Sequence, residues 1–104
     1  MIKIYISGKI TGDLNYRQKF LNAENKLFDA LFEPYNPAAL VSANAKWNDA
    51  MRIAIKLMLN CDGVALLPDW KKSKGAKIEE RLARDIGMHV KTLDQWLLGK
   101  PTAQ

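Results

Sequence analysis

With 104 residues, 48% of them hydrophobic and 26% charged, the chain has the make-up of one globular domain near the lower size limit for a self-sufficient core. Its one cysteine, Cys61, excludes an internal disulfide framework and a cysteine-built zinc cluster. No apolar run approaches a membrane span and MIKIYIS lacks the charged-then-apolar layout of a secretory signal, so the expected setting is the reducing cytoplasm. A formal net charge of +5 admits nucleic acid, membrane phosphates or a small anion as partner and does not choose among them.

Residues 2–7, IKIYIS, mix β-branched and aromatic side chains and predict a strand running into Gly8. The loop SGKITGD follows, and its two glycines permit positive φ or a close backbone approach, which makes it a candidate ligand loop. Tyr16, Phe20, Ala23, Leu27 and Leu31 recur at steps of four and three, one face of an amphipathic helix over residues 15–31. Pro34 and Pro37 leave room only for a short strand before a loop. A second helix is expected over residues 47–59, with Trp47, Met51, Ala54, Ile55 and Met58 on its buried side.

GVALL, residues 63–67, is a continuous apolar run of the kind found in strands covered on both faces, and Pro68 ends it. A third helix is expected from Gly75 to Gly87, the latter as its C-terminal cap. HVKTL predicts a last strand, followed by an apolar turn, DQWLLG, and a frayed tail. Strands alternating with helices of this length imply βαβ crossovers. The expected fold is a small doubly wound α/β domain, a parallel sheet of four to five strands with helices on both faces. In such sheets ligands sit outside the carboxyl ends of the strands, where the loops begin at Ser7, Asn36 and Pro68.

The segment LLPDWKKSKGAKIEERLARDIG, residues 66–87, therefore leaves a central strand and enters a helix N-terminus, a natural anion site. Ser73 either donates its hydroxyl to a phosphate or caps the helix, Gly75 lets the backbone come close, and Lys72 or Lys74 adds charge. Lys71, Lys72, Lys74 and Lys77 read equally as a solvated basic loop. Helical spacing separates the adjacent carboxylates. Glu79 shares a face with Gly75, Leu82, Ala83 and Ile86, which should pack inward. Glu80 lies with Lys77, Arg81 and Arg84, toward water.

A carboxylate on an apolar face is costly unless it is paired, hydrated or used. Near a helix N-terminus its ionised form is favoured. Glu79 thus either pairs with a lysine or serves attack on, or stabilisation of, a sugar anomeric carbon. His89 has no visible partner, Cys61 reads as a buried small residue, and Trp47 and Trp70 read as core, with Trp70 the better candidate for stacking on a base.

The order KIYISGKITG, NPA, W then M, CDGVALLPDW, SKGAKIE, A and G resembles a phage and bacterial domain family of unassigned function, related to the nucleoside 2-deoxyribosyltransferases and the 2'-deoxynucleoside 5'-phosphate N-hydrolases. The likeness spans residues 2–93 of a single domain over 1–104, leaving 94–104 as a tail, and its most specific part is Ser73, Gly75 and Glu79 followed by Ala83 and Gly87. It implies a flavodoxin-like fold, no cofactor or metal, a small-molecule nucleotide ligand, and a homodimer or larger homo-oligomer whose subunits complete each other's sites.

By that resemblance Glu79 is the catalytic glutamate and Ser73 the phosphate contact, beside Gly75 and Ala76. The loop Gly8, Lys9 to Gly12 lines the nucleotide, with Tyr5 and Ser7 as neighbours. Asp69 is the candidate general acid, and Trp70 adjoins the site. One departure stands out: related members often carry an aspartate eight residues before the position of Asp62, and this chain has Ala54. The implied activity is cleavage or transfer at the N-glycosidic bond of a deoxynucleoside 5'-monophosphate. The alternatives are a nucleotide-binding module without turnover and direct nucleic-acid binding through the lysine-rich loop.

Overall fold

The computed structural model describes residues 1–99; the expected frayed tail at residues 100–104 lies outside them. Four parallel strands, β1 (Lys3–Ser7), β2 (Glu33–Tyr35), β3 (Gly63–Leu66) and β4 (His89–Thr92), form one sheet in the order β2-β1-β3-β4. The fold is the expected α/β architecture with a flavodoxin-like parallel sheet. Helices α1 (Tyr16–Asp29), α2 (Pro37–Leu40), α3 (Trp47–Met58), α4 (Lys74–Asp85) and α5 (Leu93–Leu98) make the connections, and a turn of 3-10 helix spans Trp70–Lys72. No helix among the described residues is long and apolar enough to cross a membrane.

Strand alternation divides the core into two layers. Ile4, Ile6, Ala65 and Leu67 pack with Phe20, Ala23 and Leu27 of α1 and with Trp96 of α5. Tyr5, Val64 and Leu66 point the other way and pack with Ala54 and Met58 of α3 and Ala83 of α4. Every residue of β3 is buried, which explains its unbroken apolar run. β1 and β3 are neighbours in register Ser7 to Leu66, and the chain winds outward from this pair in both directions. The carboxyl ends of β1 and β3 are therefore the switch point of the sheet.

The edges correct several expectations. Leu31 is 72% exposed and adopts φ 69°, because the chain reverses there to start β2, so it does not extend the apolar face of α1. The proline-rich stretch contains a short helix as well as the strand, with Asn36 accepting the Ala38 N–H at 2.9 Å and Pro37 occupying the first turn. Pro34 sits within the edge strand β2, where the N–H of Glu33, one position earlier, bonds inward to the Ile2 carbonyl at 2.9 Å. On α3 only Ala54 and Met58 are fully buried, whereas Trp47 is partly exposed. Ile86 is also exposed, because α4 ends at Asp85 and the chain turns through Gly87 at φ 81°.

DQWLLG is a helix rather than a turn. Thr92 and Gln95 exchange reciprocal cap bonds, and Trp96 is buried with its indole N–H donating to the Val64 carbonyl at 2.8 Å. Gly63 makes room for that indole. A Cβ at this position would lie 2.7 Å from Trp96 Cζ2 and 2.9 Å from the His89 carbonyl oxygen, which belongs to the neighbouring strand's backbone. Gly63→Ala is expected to destabilise the fold by about 1–3 kcal/mol through overpacking, measured as a lower denaturant midpoint at unchanged slope.

Candidate functional site

Glu79 is 5% exposed, the most heavily buried charged side chain among the described residues. The buried stripe of α4 consists of Gly75, Ala76, Glu79 and Ala83, so the helix presents one long side chain among very small ones. Its two alanines let the helix lie close to the sheet. Tyr5 and Ser7, two apart on β1, point to the same face and meet the carboxylate there. Tyr5 Oη donates to Glu79 Oε2 at 2.8 Å and Ser7 Oγ donates to Oε1 at 2.7 Å.

Burial dominates the protonation of this group. Desolvation pushes the Glu79 pKa up to about 7 from an ordinary 4.5, against the two hydroxyl hydrogen bonds, which favour the charged form. The helix position alone had predicted a readily ionised carboxylate; burial outweighs it. Burial and the adjacent carboxylate also raise Tyr5 well above the usual phenol range, so it remains a hydrogen-bond donor.

A cleft of about 900 Å³ opens over this carboxylate at the switch point. Its floor includes Tyr5, Ile6 and Glu79, and Gly8, Ile10 and Thr11 of the β1–α1 loop form one rim. Tyr16 and Phe20 of α1 and Trp47, Ala50, Met51 and Ala54 of α3 supply largely apolar walls. Lys72, Ser73, Lys74, Gly75 and Ala76 form the end at which α4 begins. Among the described residues Glu79 is the only carboxylate in the lining, and Ala54 contributes a methyl group on the α3 side.

Ser73 is the N-cap of α4, its Oγ accepting the Ala76 N–H at 3.1 Å. Its O–H proton takes no part in that bond, so capping leaves the donor function available to a ligand. Gly75 is shaped by α3: a Cβ there would lie 2.8 Å from Met51 Sδ.

Five residues expected at the site do not line the cleft: Ser7, which reaches it only through its bond to Glu79, and Lys9, Gly12, Asp69 and Trp70. The Asp69 carboxylate accepts the Lys9 N–H at 3.0 Å and pairs with the Lys19 ammonium. Lys19 also donates to the Lys9 carbonyl at 2.7 Å and to Asp13 at 2.5 Å. Burial works against the charge of Lys19, but the two carboxylates outweigh it and hold its pKa above the ordinary value. Asp69 is thus a tether for the β1–α1 loop, and the same bonds occupy the Lys9 backbone. Gly12 serves the turn at φ 83°. Trp70 packs against the Tyr5, Met58 and Val64 layer, with the Lys71 ammonium 5.8 Å from its ring centroid.

Trp47, Met51, Tyr16 and Phe20 complete the cleft without having been expected there. Their helical spacing reads as core because a cleft wall and a core share the same apolar pattern. Glu80 is less open to water than its spacing implied: its side chain is 17% exposed and pairs with Arg84 one turn on. His89 is exposed, and Cys61 is half-buried with its thiol pushed up to about 12 by burial and the neighbouring Asp62. No group of three or more His, Cys, Asp or Glu among the described residues could hold a metal ion.

The model of a family described as a domain of unknown function, DUF4406, matches residues 2–92. The chain belongs to that family. No curated protein matches it. The DUF4406 match takes in β1 through β4, and so includes both hydroxyl donors, Glu79 and the lysines at the start of α4.

The raised pKa carries a stability consequence. An acid that binds its proton more tightly in the folded state makes folding progressively less favourable as pH rises from about 4.5 to about 7, after which the loss levels off. Glu79→Gln removes this loss. The variant's stability relative to wild type should therefore grow between pH 4.5 and 8 by on the order of 3 kcal/mol, read from denaturant midpoints at each pH. A difference that does not change with pH would show that the carboxylate titrates normally.

Proposed function

We propose that the domain acts on the N-glycosidic bond of a deoxynucleoside 5'-monophosphate, as a hydrolase or deoxyribosyltransferase. The observation that carries this reading is a single buried carboxylate, fixed by the Tyr5 and Ser7 hydroxyls, in a cleft whose other end combines a helix start with Lys72, Ser73 and Lys74. A pocket of this size suits a nucleotide, with apolar walls for the base and backbone N–H groups for the phosphate.

In this reading an oxygen of ionised Glu79 attacks the anomeric carbon. The carbon–nitrogen bond breaks, its electron pair leaves with the base, and the base takes up a proton. Water or a second base then displaces the sugar from Glu79. With a pKa of about 7, a substantial fraction of Glu79 is ionised at neutral pH in the empty cleft. Tyr5 and Ser7 orient it, and their donated hydrogen bonds stabilise the carboxylate when it departs from the sugar again. Asp69, engaged by Lys19 and Lys9, is not assigned the role of acid toward the base.

The resemblance to deoxyribosyltransferases and monophosphate N-hydrolases supports the same assignment, with a setting in the cytoplasm and an association with phage. A homo-oligomer belongs to this reading as well, supported by the exposed apolar side chains of Ile53 on α3, Ile78 on α4 and Ile86 just past the end of α4. A second reading, a nucleotide-binding module without turnover, is favoured by Ala54, which leaves Glu79 without a second carboxylate in the cleft.

Incubation with each deoxynucleoside monophosphate, followed by chromatography for free base, separates the two readings. Base release selects the enzyme, and binding without release selects the module. In an active protein Glu79→Gln should lower turnover by orders of magnitude while nucleotide binding persists; Glu80→Gln should leave both nearly unchanged. Ser73→Asp distinguishes a cap from a phosphate contact. Aspartate caps a helix as well as serine does, so stability should hold, whereas its charge should weaken monophosphate binding by at least about tenfold and spare the nucleoside. Equal effects on both ligands would remove Ser73 from the phosphate site.

A further inference from the structure

Trp47 and Lys74 begin α3 and α4 respectively, and both line the cleft. The Lys74 ammonium lies 4.4 Å from the centroid of the Trp47 ring, the shortest cation–ring contact among those identified in the described residues. This contact joins the α3 wall to the end of the cleft at which α4 begins. Trp47 is 37% exposed, so its indole is neither a core side chain nor a fully solvated one. Among the described residues no carboxylate pairs with Lys74, and Glu79 is bonded to Tyr5 and Ser7.

We infer that Lys74 and Trp47 form an exchangeable clasp that makes the cleft selective for ligands carrying both an anionic group and an aromatic ring. In the empty cleft the ammonium rests on the indole face. A phosphate at the start of α4 draws the ammonium away, since a charge-assisted bond to phosphate is stronger than a cation–ring contact on a partly solvated indole. The vacated face then receives the nucleobase. A sugar phosphate would satisfy Lys74 and leave the indole bare. A nucleoside would have to compete with the ammonium for the ring. Only a nucleotide satisfies both partners at once.

The inference rests on the reading of the cleft as a nucleotide site, and its test separates the two. Tryptophan emission is followed while wild type, Lys74→Met, Trp47→Leu and Trp47→Phe are titrated with a deoxynucleoside monophosphate, the matching deoxynucleoside and 2-deoxyribose 5-phosphate. The wild-type emission should change on adding the monophosphate, and Trp47→Phe should lose that change. Lys74→Met should weaken the monophosphate about tenfold and, by freeing the ring, strengthen nucleoside binding about two- to fivefold. Trp47→Leu should weaken both base-containing ligands and spare deoxyribose 5-phosphate. Lys74 is on the first turn of α4 and exposed, and Trp47 is partly exposed, so these variants should retain wild-type denaturant midpoints.

An emission change without base release would end the proposed chemistry and keep the clasp. Base release with Trp47 emission unchanged, or a Lys74→Met protein that binds the monophosphate as tightly as wild type, would overturn the clasp. So would the absence of an emission change with all three ligands.

Discussion

A carboxylate brought out of water between two hydroxyl groups is the constraint on which the rest of this molecule depends. Glu79 reaches Tyr5 and Ser7 only because α4 lies close to the sheet, and the helix can lie there because Ala76 and Ala83 have almost no side chain to keep it away, while Gly75 makes room for Met51 of α3. The alternation of β1 sends Tyr5 and Ser7 to that face while Ile4 and Ile6 anchor the opposite layer. Position on the strand, small residues on the helix and the parallel crossover between them thus converge on one pair of oxygen atoms. No buried side-chain polar atom among the described residues is left without a partner. A buried acid that is fully bonded and yet raised to about 7 is poised between its two protonation states under ordinary conditions.

The surroundings of the carboxylate differ in stiffness. The β1–α1 loop is tied to the end of β3 through Asp69, Lys19 and Asp13, with both the N–H and the carbonyl of Lys9 engaged. The opposite rim, from Val41 to Ala45, is mostly exposed and is stiffened mainly by short-range bonds such as Ala45 N–H to the Ser42 carbonyl at 3.1 Å. A cleft with one braced rim and one lightly held rim changes shape on one side only. The braced side lies beside Glu79, and the lightly held side lies beside α3.

Much of this could be read from the chain itself, and the parts that could not have physical reasons. The burial of Glu79 followed from helical spacing, because Ala83 and Gly75 mark the inward face one turn away on either side. The strand at residues 63–67 followed from an apolar run too short for a helix. The partners of Glu79 were less legible, since Tyr5 and Ser7 read first as strand residues and only the resemblance set them near the site. The tether made by Asp69 was not legible because its partner Lys19 is fifty residues away in sequence, and no local pattern reports such a pairing. Trp47 lines the cleft and Trp70 packs against the core for a related reason: periodicity tells which face is covered, but not whether the cover is a neighbouring helix or an open cleft. The α5 helix was missed although Thr92 and Gln95 spell a capping box, a signal obscured by the shortness of the apolar segment behind it.

Pro34 has a consequence beyond the shape of its loop. Every open-sided sheet has two outer strands whose unpaired backbone groups can recruit a foreign strand. On β2 the N–H of Glu33 is turned inward, and the residue that follows it, whose nitrogen faces away from β1, has no hydrogen to offer. The strand is also only three residues long. At the far side, β4 carries Lys91, whose ammonium lies 4.6 Å from the centroid of the Trp96 ring, so a charge stands near that border as well. The sheet is thereby guarded against fibre-like growth at its β2 border without any covering segment. A four-stranded domain can in this way protect a sheet border while its cleft opens elsewhere, at the carboxyl end of β1.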